Sequence, residues 1–457
     1  MSAFRKTSPS AEAAKEKWKI GTLTYTSTGI VALFILLLFG DFAWAMRDRS
    51  IMPAANWYLK SLGVSNVLFG LLISSFPALL TLIVSPIVST RSDRHRGKRG
   101  RRLPFLLVTT PIAALGIIGI GLTPVLSTFI HNTFPDMDER SAAIAAFAFF
   151  WAIFEIAAIS GQAVFGGLIN DVVPKPLLGR FYGLFRVISL LDGIIFNYWI
   201  IGHIPTHFTV ILVAIGLFYG CAFLWVCFRV KEGSYPPPPP VEPGDGPVVG
   251  VKRYCRECFS NSYYLLVFSM LTLGMLSLLP VNAFAIPYAK SVGMSMELYG
   301  KCLAASFTTS LFLSFFIGWA VDRFHPIRVT LTAQILYLMT AILGAIYATD
   351  VKTFAAAFVA HSIISGFYLT SVASLGLQLY PQQKFGQFSS AAGVILALST
   401  IGLSPLVGFI IDISGGEFRY TFAAGVCLSV PGIFAAFVTY KRFRQMGGFR
   451  GYVAPES

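Results

Sequence analysis

Residues 58–70 read YLKSLGVSNVLFG, and residues 288–300 read YAKSVGMSMELYG. Tyr58, Lys60, Ser61, Gly63, Ser65, Leu68 and Gly70 recur as Tyr288, Lys290, Ser291, Gly293, Ser295, Leu298 and Gly300, at an offset of 230. Two more pairs follow in the same order. Asp93-Arg94 recurs as Asp322-Arg323, and Pro174, Gly179 and Phe181 recur as Pro381, Gly386 and Phe388, at offsets of 229 and 207. Ordered matches of this kind identify two homologous halves, the second with shorter loops.

The residues around these matches are apolar. Of 457 residues, 55% are hydrophobic and 12% charged, against about 25% charged in a soluble domain. Apolar runs of about 20 residues, the length that crosses a bilayer, recur from end to end. In hydrocarbon the backbone must pair within each segment, so these runs are helices; the alternation of a membrane β-barrel is absent. The expected fold is an all-α membrane protein of twelve spans in two six-helix pseudo-repeats. The spans read as 30–58, 65–90, 104–127, 141–169, 178–201, 206–229, 263–289, 296–321, 327–348, 352–379, 386–412 and 419–440. Residues 1–25 form an N-terminal tail, 26–229 and 263–440 the two bundles, 230–262 a linker, and 441–457 a C-terminal tail. Pro236 to Pro240 and Pro243 form a run that cannot be helical and tends to the extended form, which reads as a linker between the halves. No apolar core of a cleavable signal peptide occurs in residues 1–20.

The net charge of +14 fits a membrane surface rather than nucleic acid. Its cations stand in short runs between spans, and none is interleaved with aromatics as a nucleic-acid groove requires. Loops on one side carry 26 Lys and Arg, and those on the other carry 5. By the positive-inside rule both termini are expected in the cytoplasm of a cell whose plasma membrane holds the chain. Cys255 and Cys258 form a CxxC without a second ligand pair, so reduced loop cysteines are expected and no metal. No HExxH, Walker A or GxSxG motif points to an enzyme, and no cofactor is implied. The expected partners are a small solute and the bilayer, with a monomer as the working unit.

Ser92-Asp93-Arg94 and, after five residues, Gly100-Arg101-Arg102-Leu103-Pro104-Phe105 lie between spans 2 and 3. Gly318-Trp319-Ala320-Val321-Asp322-Arg323, with Arg328, lies between spans 8 and 9. Such loops resemble the signatures of the major facilitator superfamily. The S-D-R…G-R-R-x-P-F form, with Gly40-Asp41-Phe42-Ala43-Trp44-Ala45 in span 1, resembles the glycoside–pentoside–hexuronide symporters and the sucrose-transporter group. The resemblance implies alternating access, with Asp93, Arg94, Arg101, Arg102, Asp322, Arg323 and Arg328 as gate residues. A carboxylate held by guanidinium groups near a helix end is a releasable clamp.

The repeat also corrects hydropathy. Arg47, Asp48 and Arg49 correspond to Ser277, Leu278 and Leu279 inside span 7, so they belong within span 1. Asp41, Trp44 and Asp48 then share a helix face. Glu155, Arg186 and Asp192 lie in spans 4 and 5, and the second half offers mainly Asn282, Tyr368, Gln378 and His361. Charges at mid-bilayer cost about 2.5–3.5 kcal/mol each, so they are expected in a wet cavity. The reading is a secondary transporter of a small polar solute, most simply a sugar or glycoside. Asp41, Trp44, Arg47, Asp48, Arg49, Arg186, Asn282 and His361 are its expected solute ligands, and Glu155 and Asp192 its proton carriers, with Arg186 a partner for either. Alternatives are an organic anion or hexuronate carrier and a non-transporting sensor.

The chain departs from the pattern of its resemblance in two places. Sucrose-type members follow their span-4 acid with asparagines and later an arginine, whereas Glu155 is followed by Ile156, Ala157 and Ala158, with Gly166 in that later region. Span 2 lacks the acidic pair of sodium-coupled relatives and has Ser74, Ser75 and Pro77, which points to protons as the coupling ion.

Overall fold

The computed structural model describes residues 18–237, 247–381 and 384–455. The proline run from Pro238 onward and the first 17 residues lie outside the described residues. Two antiparallel strands, β1 (Trp18–Ile20) and β2 (Leu23–Tyr25), open the described chain. This hairpin was not legible as strand, because three residues a side carry too little alternation.

The rest is helical. The first half comprises α1 (Ser27–Ser61), α2 (Asn66–Arg94), α3 (Leu103–Thr133), α4 (Glu139–Val172), α5 (Leu178–Ile195) and α6 (Ile204–Arg229). A short helix, Pro247–Phe259, precedes the second half. That half comprises α7 (Ser262–Ser291), α8 (Met296–Phe324), α9 (Pro326–Tyr347), α10 (Val351–Val372), α11 (Phe385–Ile413) and α12 (Tyr420–Gln445). Among the described residues, eleven helical runs are long and apolar enough to cross a membrane, one of them the 55-residue stretch Lys175–Arg229. At 1.5 Å per residue that stretch is more than twice a hydrocarbon core. It breaks at a π-turn over Phe196–Ile200, a 3₁₀ turn over Ile201–His203, and the non-helical His207. Two spans result, and twelve in all among the described residues.

Large apolar side chains point outward: Phe315 is 80% exposed and Ile35 65%. In water such surfaces would drive association; here the solvent is lipid.

The repeat has a local physical meaning. Gly63 and Gly293 end α1 and α7 at φ +68° and +78°, a left-handed turn that favours glycine. Each donates its N–H to the lysine three residues back, Gly63 to Lys60 at 3.2 Å and Gly293 to Lys290 at 3.1 Å. Ser65 and Ser295 then cap the next helices, their hydroxyls accepting from Leu68 and Leu298 N–H at 3.2 Å each. A serine at this position satisfies an N–H that the helix cannot.

The chain forms two compact units. One gathers, of the described residues, those within Met1–Arg49, Ile83–Asp192 and Thr209–Pro239; the other those within Ser50–Leu82, Gly193–Phe208 and Pro240–Ser457. This division differs from a cut at the linker, since it passes through α1, α2, α5 and α6. In the second unit the start of α2 packs on α11. Asp412 accepts from the Asn66 side chain at 2.6 Å and from the Asn66 and Val67 N–H groups at 3.1 Å each. Asn66 in turn accepts from Lys60 Nζ at 2.8 Å.

Candidate functional site

The candidate site lies in the first unit. Asp41, Trp44, Asp48 and Arg49 of α1 face a cavity of about 480 Å³. Gln162, Phe165 and Gly166 of α4, and Tyr182, Phe185 and Ser189 of α5, complete most of its wall. The spacing of Asp41, Trp44 and Asp48 along α1 is what puts them on one wall. Close packing holds α4 beside them: a Cβ on Gly161 would lie 3.1 Å from the Trp44 ring, and one on Gly116 of α3 would meet the Phe154 backbone at 2.9 Å.

The wall is both charged and aromatic. Asp41 is 1% exposed, and its Oδ2 lacks a hydrogen-bond partner. Asp192 is fully buried, and both its carboxylate oxygens are likewise unpartnered. Asp41 senses the charges of Asp192 and Asp48, while Asp192 senses Arg49. Arg49 also donates to Ser189 Oγ at 3.4 Å. Trp44 stacks on Phe165 with centroids 5.0 Å apart. The arrangement offers carboxylates, a guanidinium and flat apolar faces to one small polar guest. Gly166 adds open space, with nothing within 4 Å of a Cβ built on it.

Arg47 has a different place from its neighbours. It is 1% exposed, with its guanidinium carbon 3.9 Å from the Trp44 ring centroid and 4.9 Å from that of Tyr219. It donates to the Tyr219 hydroxyl at 3.2 Å and to Asp48 Oδ1 at 2.5 and 3.0 Å. Arg47 therefore builds the wall from behind, orienting Trp44 and Asp48, rather than pointing into the cavity. A guanidinium this deep requires such a set of partners.

Glu155 of α4 is 6% exposed, and the charges acting on it are those of Arg47 and Asp48. The expected Arg186 partnership is not the one seen. Arg186 is exposed, and its charged neighbour is Arg49. The reason is direction: α5 turns Arg186 away from the α1–α4 contact that Arg47 already fills.

Asn282 and His361 meet in the second unit. His361 Nε2 lies 3.1 Å from Asn282 Oδ1, its ring 5.5 Å from that of Tyr337, and its Nδ1 has no partner. Tyr368 is also buried there, with an unpartnered hydroxyl.

At the basic-loop end of the first unit, Arg102 binds Asp93 and Ser92. Two acids that the sequence reading passed over join them. Asp171, at the end of α4, takes both arms of Arg101 at 2.6 and 2.9 Å and a further bond from Arg102 at 3.3 Å. The hydrogen bond to Asp171 holds the Arg101 guanidinium above its ordinary pKa. Glu232, just after α6, accepts from the N–H groups of Arg101, Arg102 and Leu103 at 2.6 to 2.9 Å, capping α3. Arg102 lies over Gly167, where a Cβ would come within 2.8 Å of its guanidinium carbon. Arg94 is exposed. The second-half loop is built otherwise. Asp322 and Arg323 are exposed and form no ion pair among the described residues, and Arg328 donates to the Tyr440 hydroxyl at 2.8 and 3.0 Å.

Comparison with known proteins agrees with this architecture. A 115-residue stretch is 28% identical to sucrose transport protein SUC3 of Arabidopsis thaliana; it covers 24% of this chain and 18% of that protein. Among solved structures, a bacterial homologue of the human lysosomal transporter Spinster, inward-facing and unoccupied, superposes with a TM-score of 0.65 at 14% identity, covering 91% of this chain and 97% of the other. The D-xylose–proton symporter gives 0.63 at 13% identity, covering 90% and 97%. The nucleoside transporter NupG gives 0.65 at 11% identity, covering 89% and 100%. These likenesses establish the fold. Residues 20–383 match the family described as MFS/sugar transport protein. With that match spanning most of the chain, this multi-pass membrane protein belongs to the MFS/sugar transport family and is a transporter rather than an enzyme.

Proposed function

We propose that the protein is a proton-coupled symporter of a sugar or glycoside, working by alternating access across a plasma membrane with both termini in the cytoplasm. The observation that carries this reading is the cavity that sets Asp41, Asp48 and Arg49 beside Trp44, Phe165 and Tyr182. Carboxylates accept hydrogen bonds from sugar hydroxyls, and flat aromatic faces cover the C–H face of a pyranose. Asp41, with an unpartnered oxygen, is the foremost solute ligand. Arg49 and Asp48 flank it, while Tyr182, far more exposed than Trp44, supplies an apolar face and Trp44 the edge beside it.

Coupling needs a carboxylate that gains and loses a proton between the two facings. Glu155 is buried on α4 with no cation at ion-pair distance among the described residues. Arg47 lies close enough to be felt and is already shared with Asp48. Protonation of Glu155 would release Arg47 wholly to Asp48 and change how Asp48 presents itself to the solute. Asp192 is the second candidate carrier, because it has neither a hydrogen-bond donor nor exposure. Asn282 and His361 would offer neutral contacts from the second half.

A second reading has its own observation: Arg49 and Arg186 stand close enough to act on one another. Two guanidinium groups near one cavity suit a carboxylate-bearing sugar such as a hexuronate. Uptake of labelled neutral sugars and of uronates into proteoliposomes, with and without an inward proton gradient, separates the two. Accumulation of a neutral sugar that collapses with the gradient supports the first reading. Accumulation of uronates alone supports the second.

A further inference from the structure

A second hollow in the first unit has no part in solute binding. It lies where the β1–β2 hairpin overhangs the start of α1 and the end of α6, and has a volume of about 820 Å³. Its floor is apolar, formed chiefly by Leu33, Leu36 and Phe39 of α1 and Trp225 of α6. The hairpin is fixed as its lip, because the Thr22 hydroxyl accepts from Ser234 N–H at 2.8 Å, tying the turn to the chain after α6. Arg229 and Lys231 stand at the hollow's edge, both exposed.

A smaller hollow of about 310 Å³ adjoins it and shares Val230 and Lys231 as lining. This one is polar, and Lys98 and Arg99 face it from the 2–3 loop. Glu232 lines it as well, but its carboxylate is occupied by the three N–H groups that start α3. Neither Arg229 nor Lys231 has a carboxylate partner among the described residues. Three cations, Lys98, Arg99 and Lys231, therefore line the hollow with one engaged acid, and Arg229 stands in the wall of the apolar trough beside it.

We propose that these two hollows form one site for an anionic phospholipid, with an acyl chain in the trough under the hairpin and the phosphate between Lys231, Arg229, Lys98 and Arg99. The chemistry of each half selects its part of the ligand. A hydrocarbon chain gains by covering Leu33, Leu36 and Phe39, and basic pockets at the end of a membrane span attract anionic headgroups. The volume of the trough lies within the roughly 300–1,000 Å³ of small-molecule sites. A free phosphate would satisfy the cations and leave the trough unfilled. A neutral lipid would fill the trough and leave the cations without a counter-charge. The site does not depend on which solute is transported.

The test is a native mass-spectrometry titration of the full-length detergent-solubilised protein with phosphatidylglycerol, phosphatidylcholine of the same acyl chains, and glycerol 3-phosphate. The expected result is one tight phosphatidylglycerol adduct, weaker phosphatidylcholine binding, and no glycerol phosphate adduct. Arg229→Gln with Lys231→Gln should weaken the phosphatidylglycerol adduct roughly 30-fold. Ala32→Trp, which fills the trough, should remove it; the charge variant keeps the test valid if this one fails to fold. Equal binding of phosphatidylcholine, binding of glycerol phosphate as tight as that of the lipid, or wild-type affinity in the charge variant would each overturn the site.

Discussion

Gly300 of α8 sits so near Asn197 that a Cβ on it would lie 2.1 Å from the Asn197 carbonyl oxygen. The repeat gives this contact a twin. Gly70 is the counterpart of Gly300 at an offset of 230, and a Cβ there would lie 2.7 Å from the carbonyl oxygen of Ser404. Ser404 is the counterpart of Asn197 at the offset of 207 seen for Pro174 and Pro381. The same crossing is thus built twice, α2 on α11 and α8 on the π-turn Phe196–Ile200, each through a glycine.

The proposed alternating access requires such crossings to close and open. Gly300→Leu and Gly70→Leu place side chains where no space exists in the present packing. Overpacking costs about 1–3 kcal/mol per site, so each change should shift the conformational equilibrium about 5- to 150-fold away from it. Thiol labelling of a single cysteine at the facing position, Ser404→Cys beside Gly70 and Asn197→Cys beside Gly300, both buried in the present packing, reads this directly. Labelling should rise in the leucine variants; unchanged labelling would show that the crossing does not move.

The clamp at the basic-loop end makes a separate prediction. Asp171 holds Arg101 bidentately and also reaches Arg102. Asp171→Asn should weaken both bonds and lower stability by about 1–3 kcal/mol, because the partly buried Arg101 guanidinium loses its anion while Arg102 keeps only Asp93 as its own. Asp322→Asn, in the counterpart loop, should cost under about 0.5 kcal/mol, since Asp322 is exposed and unpaired among the described residues. Thermal unfolding of the two variants side by side checks the difference, and equal losses would contradict it.

Glu232 offers a finer test of the same region. Its carboxylate caps α3 through three backbone N–H groups. Glu232→Gln keeps an acceptor oxygen and loses the charge that the helix N-terminus favours, at a cost of about 0.3–1 kcal/mol. Glu232→Ala removes both and should cost about 0.5–2 kcal/mol. The melting temperatures should fall in that order; a glutamine variant no more stable than the alanine variant would argue against a cap.

Much of this was legible in sequence. The repeat placed Arg47 to Arg49 inside α1, against hydropathy, and span lengths gave twelve helices despite the continuous stretch from Lys175 to Arg229. Partnerships across the chain were less legible. Nothing near Asp171 or Glu232 says that each reaches Arg101, which is 70 residues from one and 131 from the other. Arg47 and Arg49 look alike as letters, yet the two-residue step between them turns the helix by about 200°, which sends one behind Trp44 and the other to the cavity. Gln162 carried a usable signal, as a lone amide in an apolar span two turns beyond Glu155. Arg186 was paired with Glu155 by proximity in sequence order, whereas the rotation of α5 decides the matter.

Proton coupling through Glu155 predicts a split between two activities. Glu155→Gln mimics the protonated acid, so solute exchange should persist while uphill accumulation is lost. Counterflow and proton-driven uptake in the same vesicles report the two separately. Concentrative uptake by the variant would assign coupling elsewhere, with Asp192 the next residue to change.

The central claim is that the cavity beside Asp41 holds the solute, and equilibrium binding tests it most directly. Isothermal titration of the purified protein with the transported sugar should show that Asp41→Asn weakens affinity by about tenfold or more, the loss of roughly 1.5–3 kcal/mol in hydrogen bonds to a charged group. His361→Gln, in the second unit, should weaken it less. Wild-type affinity in Asp41→Asn would contradict the account.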